Sequence, residues 1–171
     1  MGKYGLYIFL LCIPLALWSI KGNAEDGTDI KFSGRVIVSP CEIDTHSVLI
    51  DFGDVPLDSF NEHGKGGFVS ARLKLVDCPI STKKITATFS GEPETISPLY
   101  YYRNKGTAKN IQIELKDADS NAGLGNGCSK TVDVRSDHTA IIELQSRVNS
   151  EGKNATPGTV SGVVQVDFTY Q

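Results

Sequence analysis

Side chains able to do acid–base, nucleophilic or metal chemistry are few in this sequence, and they lie apart. The three histidines, His46, His63 and His138, sit far from one another in turn-like surroundings. No His-x-His or Cys-x-x-Cys pair offers metal-ligand spacing, so each histidine reads as a surface residue rather than a base or ligand. Asp117-Ala-Asp-Ser-Asn-Ala-Gly123 opens like a calcium loop. Its sixth position is Ala122 where glycine is needed, and its twelfth is Cys128 where a bidentate glutamate is needed, so a polar turn is the better reading. Gly123-Leu-Gly-Asn-Gly127 lacks the strand–helix unit that would make it a phosphate loop. Tyr100, Tyr101 and Tyr102 could stack on a sugar, though alternation more plainly puts one in a core and its neighbours at the surface. No catalytic constellation, metal site, cofactor or small-molecule substrate is expected.

The elements that would carry these residues are those of one domain. A chain of 171 residues, 40% hydrophobic and 22% charged, can bury a single sizeable core. Its net charge of −3 argues against a nucleic-acid partner, which needs a basic face. The first 24 residues stand apart. Lys3, the apolar run Leu6 to Trp18 and the small residues Gly22-Asn23-Ala24 form a secretory signal peptide, with cleavage expected after Ala24. The run is short for a bilayer span and Pro14 interrupts it. Its removal takes Lys3 and Lys21 and no acid, leaving 15 basic against 20 acidic residues, a net charge of −5. Cys41, Cys78 and Cys128 remain for an oxidising compartment, where two of the three are expected to pair. The residues alone leave the pairing open.

After the leader, short β segments alternate with turns. Arg72 to Val76, Ile85 to Phe89 and Ile111 to Leu115 alternate apolar with polar residues, the pattern of a half-buried strand. Val48 to Phe52, Thr131 to Val134 and Ile141 to Val148 add strands, while Asn61 to Gly67 and Asn121 to Gly127 read as turns. No amphipathic helix stands out. This succession predicts an all-β sandwich of immunoglobulin-like type.

The two ends carry complementary patterns. Val160, Gly162, Val164, Val166, Phe168 and Tyr170 fall on one face of a C-terminal strand that should lie at the heart of the fold, yet no strand follows it. Near the N-terminus, Thr28, Ile30, Phe32, Gly34 and Val36 alternate with Asp29, Lys31, Ser33 and Arg35. An isolated arm would expose Ile30 and Phe32, so it should fold back on its own domain or insert into another molecule.

These features resemble the chaperone–usher pilin family over nearly the whole exported chain. Tyr170 is penultimate and Gly158 is fourteenth from the end, as in the family's C-terminal signature. Val38-Ser-Pro-Cys41, Asp51-Phe-Gly-Asp54 and Leu73-Lys-Leu-Val-Asp-Cys-Pro79 match a second block. The resemblance is nearest to minor tip-fibrillum adapter subunits of type 1 fimbriae, through Ile85-Thr-Ala-Thr-Phe-Ser-Gly91 and the stretch from Tyr101 to Leu115.

The resemblance implies a Cys41–Cys78 disulfide, which would close its loop for roughly 4 kcal/mol of stability; Cys128 has no family counterpart. It implies an incomplete immunoglobulin-like sandwich lacking its last strand, completed by a donor strand from a periplasmic chaperone or a neighbouring subunit. The expected organisation is a signal peptide (1–24), a donor-strand extension (25–36) and a pilin domain (37–171). Thr28, Ile30, Phe32, Gly34 and Val36 would donate. Gly158, Val160, Val164, Val166, Phe168 and Tyr170 would form the acceptor strand recognised by chaperone and outer-membrane usher. The implied function is structural, in a fimbrium at the cell surface, polymerising by donor-strand exchange. A pilus adhesin or a terminator subunit is the alternative.

Overall fold

Period-two alternation makes strands, and a computed structural model assembles them into two antiparallel sheets. It describes residues 29–44, 46–150 and 154–171, without the side chains of 61–63. The expected signal peptide and Thr28 lie outside the described residues. The elements are β1 (Glu42–Ile43), α1 (Leu57–His63), β2 (Val69–Val76), β3 (Lys84–Gly91), β4 (Tyr101–Arg103), β5 (Ile111–Asp117), β6 (Ser129–Asp133), β7 (Ala140–Ser150) and β8 (Val164–Tyr170). One sheet has the order β1-β2-β7-β5-β4 and the other β6-β3-β8. The chain divides into two units, Met1–Arg35 and Val36–Gln171. Both sheets belong to the second. In the first, Asp29 to Arg35 form no helix or strand, and Ile30 and Phe32 are exposed.

Register follows the apolar faces. Leu73 lies opposite Ile142, Ile113 opposite Val148 and Phe89 opposite Val166. Between the layers, Phe89, Tyr102, Leu115, Ile142 and Leu144 form the main core, which Phe60 of α1 joins. A smaller cluster holds Leu75, Ile85 and Ala140 around Cys41 and Cys78, which are joined as a disulfide. Cys128 is free and half-buried.

Three local expectations need correction. Val48 to Phe52 is not a strand: Ile50 and Phe52 pack on the main core while Leu49 is exposed, but the segment joins neither sheet. Its alternation is real, and what it lacks is a neighbour. The stretch read as a turn from Asn61 begins inside α1, a helix of 7 residues closed by Gly64, whose N–H donates to Phe60 O at 3.0 Å. The C-terminal strand begins in the ladder at Val164 rather than Val160.

The open edge beside the C-terminal strand

The site is built from β8 outward. Lys84 and Gln171 exchange both main-chain bonds, Lys84 N–H to Gln171 O and Gln171 N–H to Lys84 O, each at 2.9 Å. Hydrogen bonding alternates along an antiparallel pair. The main-chain groups of odd-numbered residues therefore face β3, and those of Val164, Val166, Phe168 and Tyr170 face the other way. Among the described residues no strand meets them there, because β8 ends its sheet. The same four residues point their side chains inward, and all four are only half-buried.

Next to this edge lies an apolar groove of about 1240 Å³. Val160, Val164, Val166 and Phe168 line one wall, and the unpaired segment from Ser47 to Val55 lines the other. Phe89, Tyr102, Ile113 and Leu144 of the main core form its floor. Small-molecule sites run from about 300 to 1,000 Å³ and are usually enclosed. This one is larger, elongated along a strand and open. Its chemistry is that of a missing strand: main-chain donors and acceptors on one side, apolar sockets beneath.

Gly158 lines the far end of the groove, where a Cβ would come 2.4 Å from the main-chain nitrogen of Ala108. Only glycine permits that approach. Tyr170 lies beyond the groove and packs with the disulfide cluster, opposite Ile85. Burial raises the pKa of its hydroxyl. Burial likewise pushes the Tyr102 hydroxyl well above its ordinary value, and that group donates to Leu124 O at 2.8 Å.

The residues weighed for chemistry do not converge on the groove. His46 is exposed on its rim, His138 places Nδ1 2.8 Å from Cys78 O, and the His63 side chain lies outside the described residues. Asp117, at the head of the calcium-like turn, is buried. Its carboxylate accepts from Lys130 Nζ at 2.6 Å, from the Ser120 hydroxyl and from Asp119 N–H. The Lys130 ammonium thus neutralises the Asp117 carboxylate. Among the described residues no group of three or more His, Cys, Asp or Glu could hold a metal ion. Of the tyrosines, Tyr102 is buried between half-buried Tyr101 and exposed Arg103, as alternation expects, while Tyr100 precedes β4 and is exposed although it shares the parity of Tyr102. Sequence reasoning missed the wall from Ser47 to Val55 as a groove wall, although the alternation at Ile50 and Phe52 marks its inward face.

A two-layer antiparallel sandwich whose β8 edge stands open above an apolar groove is the arrangement expected of a chaperone–usher pilus subunit. The fold is that of the crystal structure of the P pilus rod subunit PapA, with a TM-score of 0.66 at 19% identity, covering 78% of this chain and 100% of that one. The structure of a chaperone–usher pilus matches at a TM-score of 0.65 and 20% identity, covering 86% and 97%. In sequence, the chain is similar to Protein FimG of Escherichia coli (strain K12), 37% identical over 164 residues and 95% of each chain. The family model described as Fimbrial protein matches residues 30–171. The chain belongs to the fimbrial protein family, as a structural subunit of a pilus carried at the cell surface.

Proposed function

We propose that this chain is a minor, adapter-type pilus subunit without enzymatic activity, joined to its neighbours by exchange of strands. The groove beside β8 takes the N-terminal strand of one neighbour, and residues 28–36 are lent to the next. A periplasmic chaperone fills the groove before assembly, and an outer-membrane usher receives the pair. The observation that carries this reading is the unpaired edge of Val164, Val166 and Phe168 over a groove of about 1240 Å³.

The energetics are adequate. Ile30, Phe32 and Val36 are all exposed, and burying each is worth about 1.5–3 kcal/mol. With a new row of ladder bonds the gross gain is on the order of 10 kcal/mol before ordering costs. An open edge over apolar surface is otherwise an aggregation hazard, which is the physical reason to keep it escorted. The adapter assignment rests on the resemblance of Ile85 to Gly91 and Tyr101 to Leu115 to minor tip subunits.

The test is strand complementation. Residues 36–171 are extended by a flexible linker and a pilin donor strand, and their unfolding midpoint is compared with that of the unextended domain. A rise of tens of degrees, lost when the strand's apolar residues become Asp, is the expected result. No rise with any of several donor strands would sink the acceptor reading and leave a terminator.

A further inference from the structure

The acceptor edge does not stop where β3 does. Beyond Gly91, which pairs with Val164, the sheet has no further strand on that side among the described residues. The loop from Asn104 to Ala108 takes its place. Lys105 N–H donates to Ser161 O at 2.7 Å and Ala108 N–H to Thr159 O at 3.1 Å. Ser161 N–H donates to Asn104 Oδ1 at 2.9 Å, and Thr159 N–H to Thr107 Oγ1 at 2.9 Å. Thr159 and Ser161 are odd-numbered, so their main-chain groups are engaged on the side where β3 would have been. By the same alternation, Val160 and Gly162 present theirs to the open edge.

Asn104 is the hub of this clasp. Its Oδ1 accepts from Ser161 N–H and from Gly106 N–H at 2.8 Å, while its Nδ2 donates to Ala108 O at 2.9 Å and Thr159 O at 3.3 Å. One amide thus holds both the loop and the strand segment. Close approach is enforced at Gly106, where a Cβ would lie 2.0 Å from Thr159 O. Gly162 and Val160 line the groove, and a Cβ at Gly162 would meet Ile113 Cδ1 at 2.7 Å.

We infer that Asn104 is a positioning residue that extends the acceptor edge from Val164 back to Val160 and so sets the length of donor strand the groove engages. The inference rests on the reading of the groove as a strand acceptor. With the clasp closed, an incoming strand finds Val160 and Gly162 held extended and ready to pair. Without it, residues 159–163 are untethered and the useful edge ends at Val164.

The experiment uses the full exported chain carrying a C-terminal linker and one of two donor strands, a long one reaching Val160 and a short one ending opposite Val164. In the wild type the long strand should raise the unfolding midpoint above the short one by on the order of 5 °C. Amide exchange at Val160 and Gly162 should slow only with the long strand. Asn104→Ala should abolish the difference between strands while keeping the gain from the short one. If Asn104→Ala fails to fold, Thr107→Val, which removes the hydroxyl that caps Thr159, should shrink the difference and speed exchange at Val160. Equal gains from both strands in the wild type, or a difference that survives these substitutions, would overturn the inference and leave the acceptor reading intact. No gain from either strand in the wild type would overturn both.

Discussion

Glu114 and Arg147 face each other across β5 and β7 on the outer side of the five-stranded sheet, yet Glu114 is only 3% exposed. Arg147 donates to Glu114 through Nε, Lys116 lies 3.0 Å away and Asn149 Nδ2 at 3.1 Å. Arg147 in turn lies 4.2 Å above the ring of Phe68. Burial by itself would raise the Glu114 pKa. The hydrogen-bonded Arg147 and Lys116 outweigh it and hold the group below its ordinary 4.5.

A carboxyl held low in the folded chain stabilises it fully above a pH of about 4.5, and that contribution is lost as pH falls through the folded value. Glu114→Gln should therefore lower stability near pH 7 by about 3 kcal/mol, because Arg147 is left without its counter-charge. The gap to wild type should narrow toward pH 3. Thermal unfolding between pH 7 and 3 reads both. A gap independent of pH would refute the assignment. Asp117, held low by Lys130, Ser120 and Asp119 N–H against its own burial, keeps part of the acid limb in the variant.

The disulfide closes a loop of sequence separation 37 inside the cluster of Leu75, Ile85 and Ala140. Paired replacement, Cys41→Ser with Cys78→Ser, should cost roughly 4 kcal/mol. On the strand-complemented domain the midpoint should fall by about 15 °C. Cys128→Ser, by contrast, should move it little.

Donor and acceptor roles should separate genetically. Phe32→Asp should block donation to the next subunit and leave the domain's own unfolding midpoint unchanged. Val166→Asp should block acceptance, since that side chain lines the groove opposite Phe89 of β3. Mixing each variant with wild-type subunits, and counting incorporated copies by mass spectrometry of purified fibres, tells the two apart. Equal incorporation of Phe32→Asp and wild type would refute the donor role.

Tyr102 sits in the groove floor with its hydroxyl bonded to Leu124 O at 2.8 Å. Tyr102→Phe should cost about 1–2 kcal/mol, because a buried carbonyl loses its donor. Faster amide exchange around Leu124 would accompany that loss; unchanged stability would mean the carbonyl finds another partner.

The central strands were legible because their alternation reports a face, and a face is what the core reads. Ile85, Ala87 and Phe89 are inward and fully buried. Alternation does not report a neighbour, which is why Val48 to Phe52 reads as a strand and pairs with nothing in either sheet. α1 was illegible because 7 residues with Phe60 as the apolar anchor are too few for a helical period. Glu114 looks in sequence like an outward strand residue, and its burial comes from Arg147, Lys116 and Asn149 closing over it. Asn104 was equally hidden, since nothing in an Asn-Lys-Gly turn distinguishes a solvated amide from one making four bonds.

The open edge of β8 also determines how a junction built on it would carry force. A strand seated there lies along β8, so tension pulled through its end runs parallel to the edge and across the ladder bonds. Bonds formed along the edge would then be loaded in shear and yield together, whereas a strand peeled from its tip gives them up one at a time. Such a joint withstands a pull that its individual bonds, each of modest net worth, could not. Its mechanical limit is set by how many residues the edge runs in parallel with its guest.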